Sequence, residues 1–406
     1  MQADIALSDL DRDLGKGLEP DQDLVSDQLV AFEQKDVHGR LLAVRPPDRN
    51  PGPKPSRVLP LHRPDSPDEF RPGSAFRVLE DSLLPMEASK DRSTLCGVDE
   101  AGLGPLLGPL VVAGVAMSGP RGLCPWEALR EAVRRKGGRR EDRRIRIADS
   151  KRVKSGGRGL AELERTALAL LGAVRGEIPE TLGHLLSPVL GDRDFEAYPW
   201  YRNLSAVPLP RWTDGPSLRL DAHRFARALS ASGVSLLAAP IHPVLVGSYN
   251  RLIGRLDNKS LALFAATLPV LRACLEVGSR AGKETVIVLD RQGGRSRYAP
   301  LLRDAFPGVG LEVLEERSGH SAYRLGQGVE LHFAERGEEK AFPTAAASCL
   351  AKYVRECLIE RLNRFFQDRR PSLRATAGYW TDGRRFLDDL GPELSGRHRS
   401  LLVRCR

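Results

Sequence analysis

Paired cysteines are missing from this sequence. Its six cysteines, at 96, 124, 274, 349, 357 and 405, include no CxxC spacing, so neither a zinc site nor a disulfide framework is indicated. They read as small apolar residues in a reducing compartment. Long apolar runs are also missing: none reaches the length of a membrane span. The Asp-rich opening lacks the pattern of a secretory signal. These absences predict a soluble, cytoplasmic protein with no membrane contact.

What is present is apolar content of 41% over 406 residues, enough for one large domain or two ordinary ones. The net charge of +9 at pH 7 favours an anionic partner, nucleic acid first, although an arginine-rich composition alone would produce the same excess. Residues 1–90 differ in composition from the rest of the chain. They are rich in Asp, then crowded with Pro and Arg, as in Pro51-Gly52-Pro53-Lys54-Pro55. Such a segment buries too little apolar surface to offset the entropy of ordering, and is expected to be a disordered or loosely ordered extension.

The chain is organised around residues 98–112. An apolar run over 95–98 reads as a buried strand and exits into Asp99 and Glu100. Gly102, Gly104 and Gly108 follow, with Pro105 and Pro109, so the backbone turns there. A second run over 109–117 reads as the partner strand. Adjacent carboxylates at the end of a buried strand are costly unless neutralised, and a divalent cation with oxygen ligands does that. By itself the stretch equally fits a hairpin with two exposed acids at its mouth.

Further along, a helix is expected over 126–136, leading into the basic run Arg134-Arg135-Lys136-Gly137-Gly138-Arg139-Arg140. That run reads as a solvated loop, with phosphate contact as the second reading. Asp149-Ser150-Lys151 stands in a loop before a helix over 160–171, where phosphate contact and helix capping are equally good readings. Tyr198-Pro199-Trp200-Tyr201 reads as packing rather than base stacking. A strand is expected over 234–246 and a helix over 258–275. The run Thr285-Val286-Ile287-Val288-Leu289 ends in Asp290, an acid at the C-terminal end of a buried strand, where open α/β sheets place ligands. A short strand is expected over 311–316. Glu338 and Glu339 precede a helix over 344–362, on which Ser348, Lys352 and Arg355 share one face. One hydroxyl and two cations on a stripe suit a phosphodiester backbone, the alternative being a solvated polar stripe. Gly378-Tyr379-Trp380-Thr381-Asp382 reads as a later turn with an exposed aromatic.

Together these islands resemble the type 2 ribonucleases H, the ribonuclease HII and HIII group. Val98-Asp99-Glu100-Ala101-Gly102-Leu103-Gly104-Pro105 resembles the family's Asp-Glu-Ala-Gly opening, and Asp149-Ser150-Lys151 its Asp-Ser-Lys loop. Asp290 resembles its third acid, Ala346-Ala347-Ser348 its Ala-Ala-Ser helix, and Gly378-Tyr379 its Gly-Tyr turn. The resemblance implies an α/β fold, a ribonuclease H-like mixed, mostly parallel sheet flanked by helices, with a helical C-terminal part. It implies a catalytic domain over 91–395 with a divergent insertion around 175–230. It further implies four catalytic, metal-binding acids, Asp99, Glu100, Asp290 and Glu339, with Glu338 as fallback, holding Mg²⁺ or Mn²⁺. Substrate contacts would come from Gly102, Leu103, Gly104, Ser150, Lys151, Ser348, Lys352, Arg355 and Tyr379.

The implied activity is endonucleolytic cleavage of RNA–DNA hybrids, or of ribonucleotides embedded in duplex DNA, by a monomer, leaving 5′-phosphate and 3′-hydroxyl ends. Three departures stand out: Glu339 where the family has Asp, Leu103 where it has Arg or Lys, and Trp380 where it has Pro. They leave two alternatives, a non-catalytic nucleic-acid-binding descendant and a related metal-dependent nuclease with another substrate.

Overall fold

The computed structural model describes residues 92–139, 142–155, 159–190, 194–281, 284–391, 394 and 396–405. The extension expected over 1–90 lies outside them. Strand β1 (Arg92–Ala101) pairs antiparallel with β2 (Leu110–Pro120), placing Asp99 opposite Ala113. Both strands run longer than their apolar stretches, because the backbone ladder continues through polar ends to Arg92 opposite Pro120. The helix expected over 126–136 is one turn only, Pro125–Ala128. Beyond it β3 (Val133–Arg134) pairs in parallel with β4 (Ile145–Arg146).

The strand expected over 234–246 is divided into β5 (Ser235–Ala238) and β6 (Ile241–Val244), both paired with β2. Pro240 stands at the break, where a residue without an N–H cannot continue a ladder. Next come β7 (Thr285–Asp290), β8 (Leu311–Arg317), β9 (His320–Leu325) and β10 (Val329–Ala334). The sheet order is β5-β2-β1-β7-β10-β9-β8, with β6 also on β2.

The sheet is mixed, as the resemblance implies, but it is not mostly parallel. Only β1–β7 and β7–β10 run in parallel. The remaining pairs are antiparallel, because short links such as those joining β8, β9 and β10 are too brief for a crossover. Strands β9 and β10 escape the sequence reading: His320, Arg324, Glu330 and His332 interrupt their apolar pattern.

Helices cover both faces. They include α1 (Ser150–Lys154), α2 (Gly159–Arg175), α3 (Gly215–Ala231) and α4 (Lys259–Ala281). After β10 come α5 (Gly337–Lys340), α6 (Phe342–Arg369), α7 (Trp380–Leu390) and α8 (Gly396–Leu402). Contrary to the expectation of no such run, α4 is long and apolar enough by length and composition to cross a membrane. It is nevertheless packed on β2, β1 and β6, as a core helix would be.

Alternation along β1 assigns the faces. Cys96 meets Cys274 of α4, whereas Gly97 meets α6 so closely that a Cβ would strike the backbone of Pro343 and Thr344. Asp99 therefore shares the α6 face with Leu95 and Gly97. The aromatic cluster at 198–201 is packed, as read from the sequence: Tyr198, Trp200 and Tyr201 are buried, and Trp200 stacks edge-on against Phe365 of α6.

Candidate metal and nucleic-acid site

Two parallel strands side by side build the centre of the site. Val98 of β1 is in register with Leu289 of β7. One step further, at the C-terminal ends of both strands, stand Asp99 and Asp290. Val286, Val288 and Asp290 alternate onto one face; Val286 and Val288 pack there with Leu95 and Ala341, so Asp290 lies on the same face as Asp99. The Gly337 N–H at the start of α5 donates to Asp290 Oδ1 at 3.0 Å. The Glu100 N–H donates to Asp99 Oδ1 at 2.8 Å.

The electrostatics follow from burial and like charge. Desolvation pushes the Asp99 carboxyl well above its usual range, reinforced by the charges of Glu100 and Asp290, with a Ser348 hydrogen bond opposing. Desolvation and the charge of Asp290 push Glu100 up to about 7, Lys151 opposes, and Glu338 adds to the rise. Asp290 is raised mainly by desolvation, against the Gly337 and Arg291 amides and Lys151. Glu338 is raised by desolvation and by Asp290 and Asp149.

Four carboxyl groups thus feel one another's charge, and Lys151 is the lysine that answers them. By donor type and charge the set fits a divalent cation. Among the described residues, no three His, Cys, Asp or Glu side chains already form a metal-holding group.

The structure separates Glu338 from Glu339. Successive helical residues point about 100° apart, and here Glu338 adds to the rise of Glu100 and is itself raised by the charge of Asp290. Glu339 turns to arginines: its carboxylate pairs with Arg152 at 2.7 Å and Arg336 at 3.7 Å, and Arg135 donates to its carbonyl. The fallback acid, rather than the residue counted from the proline, faces the cluster.

The expected substrate residues divide into two groups. Asp149 caps α1 by accepting the Lys151 N–H at 2.9 Å, which fits the capping reading and leaves the Lys151 side chain exposed. Ser150 and Ser348 are brought together, the Ser348 hydroxyl donating to Ser150 Oγ at 3.0 Å. Tyr379 is 50% exposed and lies at the entry to α7.

The stripe on α6 is not an open phosphate-binding face, because α6 is a central core helix. Ser348, Lys352 and Arg355 are all buried. Lys352 Nζ pairs with Glu356 at 2.8 Å, and so does Lys154 Nζ. Arg355 is fully buried and donates through Nη2 to the carbonyl of Ala377 at 3.1 Å, beneath the Tyr379 ring.

The glycine turn between β1 and β2 docks on the Gly378 turn: Leu106 and Leu107 N–H both donate to the Gly378 carbonyl, at 2.7 and 3.0 Å. Gly102 has φ +95, a left-handed conformation that glycine adopts without strain, and a Cβ there would also strike Arg355. Gly104 is exposed with open space about it. The basic run is largely exposed, as the solvated reading has it: Arg135, Lys136 and Arg139 are exposed, while Arg134 is buried against Glu162 and Arg135 lies over Trp126. Arg404, which sequence reasoning missed, holds the back of the glycine turn; an isolated arginine beyond α8 carries no sequence signal.

No family model matches the chain. It is 34% identical over 134 residues to the Ribonuclease HII of Parvibaculum lavamentivorans. That alignment takes in 33% of this chain and 41% of the relative, so the chain spans less than half the length of the curated relative it matches. Among solved structures it is similar to the ribonuclease HII of the PCNA:RNase HII complex from Archaeoglobus fulgidus, at 18% identity and TM-score 0.35, over 77% of this chain and 94% of that one. It is also similar to the ribonuclease H2 from Pyrococcus horikoshii OT3, at 16% identity and TM-score 0.33, over 76% and 93%. A third is Bst-RNase HIII in complex with Mn²⁺, at 14% identity and TM-score 0.33, over 77% and 66%.

Proposed function

We propose that this chain, a divergent member of the type 2 ribonuclease H family, is a metal-dependent endonuclease. Its substrate is the RNA strand of RNA–DNA hybrids or ribonucleotides embedded in duplex DNA, and its products carry 5′-phosphate and 3′-hydroxyl ends. The observation that carries the reading is the convergence of Asp99 and Asp290 at neighbouring strand ends with Glu100 beside them and Glu338 on α5, where the charge of Asp290 raises the proton affinity of the other three. Such a cluster is costly unless a cation joins it.

Asp99, Glu100, Asp290 and Glu338 would hold Mg²⁺ or Mn²⁺. When bound, the metal supplies Lewis acidity at the scissile phosphate and its attacking water. The protein's own residues do the rest. Asp99 is steadied by Ser348 and the Glu100 amide, and Asp290 by the Gly337 amide, so both carboxylates are held before substrate arrives. Lys151 stands beside the acids as a cation suited to a neighbouring phosphate. The Leu103-Gly104 backbone, exposed at Gly104, and the Tyr379 ring offer a polar edge and an aromatic face to a sugar. The protein would act as a cytoplasmic monomer.

The test is cleavage of a duplex containing one ribonucleotide beside a long hybrid and an all-DNA duplex, with Mg²⁺ and with Mn²⁺. Metal-dependent incision at the ribonucleotide is expected, and Asp99→Asn or Asp290→Asn should abolish it while leaving duplex binding largely intact. Binding without cleavage under both metals would mark a non-catalytic descendant. Equal cleavage of all-DNA duplex would mark a nuclease of another specificity.

A further inference from the structure

The glycine turn between β1 and β2 is held from behind by a residue about 300 positions away. Arg404, in the segment following α8, spends its donors on the turn: its backbone N–H on the Leu106 carbonyl at 3.0 Å, its Nε on the Gly108 carbonyl at 2.8 Å, and its Nη1 on the Gly102 carbonyl. Val403 forms a β-bridge with Leu107. Arg355 closes the other side, its guanidinium packed under Gly102 and its Nη2 directed at the Leu107 carbonyl at 3.5 Å. Of the turn, Gly104 is exposed and Leu103 half-buried.

This clamp is electrically unusual. Arg404 and Arg355 are 4% and 0% exposed. Each repels the other's charge, and burial with that repulsion brings Arg404 down to about 9. The acid in ionic reach of Arg355 is Glu356, at 3.9 Å, and Arg404 lies over the Tyr249 ring at 4.6 Å. Tyr249 also hydrogen-bonds the Arg404 guanidinium, whereas Arg355 Nε and Nη1 have no hydrogen-bond partner among the described residues. Two undercompensated cations therefore sit behind a turn whose half-buried side chain, Leu103, is apolar. A polyanion approaching Leu103-Gly104 meets their positive field through a low-dielectric wall.

From this geometry we infer that Arg404 is a positioning residue of the substrate-facing turn, fixing its backbone and supplying from behind, with Arg355, the positive charge that Leu103 does not. This rests on the nuclease reading for its substrate, but not for the clamp itself. The test uses the full chain with Arg404→Lys, which keeps the charge and loses the forked donors. Should that variant not fold, Arg404→Gln, which keeps a side-chain donor, takes the same readouts.

Hydrogen exchange at the amides of residues 102–107 is expected to quicken about tenfold or more. The KM for a duplex with one ribonucleotide should rise about tenfold with kcat changed much less, as for lost binding rather than lost chemistry. Preference over all-DNA duplex should fall. Leu103→Arg, added to Arg404→Gln, which lacks the charge, should restore the KM. Unchanged exchange overturns the inference, as does a lowered melting temperature and kcat with KM and preference intact. Failure of Leu103→Arg to restore KM overturns the charge-supplying part. If the wild-type chain neither binds nor cuts the duplex, the nuclease reading fails and exchange alone decides the clamp.

Discussion

At the scale of single residues, Glu338 and Glu339 give the sharpest contrast. They are neighbours of the same type, yet one faces Asp290 and Glu100 while the other is paired by Arg152 and Arg336. Glu338→Gln should cut ribonucleotide-specific cleavage severely, whereas Glu339→Gln should leave most of it; steady-state kinetics under saturating Mg²⁺ distinguish them. The acid cluster also has a stability signature. A buried carboxyl with a raised pKa binds its proton more tightly folded than unfolded. Stability present below the ordinary value of 4.5 for Glu100 is therefore lost as pH rises through about 7. Asp290→Asn relieves the repulsion, so in chelator it should melt above wild type, by an amount worth on the order of 1 kcal/mol per pKa unit relieved. That advantage should grow from pH 5 to pH 8 and shrink when Mg²⁺ is added. An advantage independent of pH would count against mutual repulsion among these acids.

At the scale of elements, β1 and α6 set the site together. Gly97 lets α6 lie against the strand two residues before Asp99, bringing Ser348 to that carboxylate. Gly97→Ala forces the two apart and should cost about 1–3 kcal/mol by overpacking, read as a lower urea midpoint. Cleavage should fall more than folding does, because the displaced element carries Ser348. The burial of α6 also explains why helical spacing misled. Ser348, Lys352 and Arg355 do share a face, but that face meets Ser150, Glu356 and the Ala377 carbonyl rather than solvent. Spacing determines which residues point together and says nothing about what lies opposite them.

At the scale of the whole molecule, the count of 62 lysines and arginines overstates the cations free to meet a polyanion. Arg134 is consumed by Glu162, Arg165 by Asp221, and Arg324 by Glu312 and Glu330. Duplex binding should therefore weaken with salt along a shallow line, with a slope of roughly −2 to −4 for two to four phosphates neutralised. Titration from low to high KCl measures it, and a slope near zero would show that charge does not steer binding.

The sequence by itself determined the strands that carry Asp99 and Asp290 and the packing of the aromatics at 198–201. Each is encoded locally, in unbroken apolar runs or in large rings that must leave water. The tertiary structure alone decided the antiparallel run of β8, β9 and β10, the choice of Glu338 over Glu339, the burial of Arg355 and the grip of Arg404 on the glycine turn. Those depend on what a side chain meets across the fold, and contacts between residues hundreds of positions apart leave no periodicity in the chain to read.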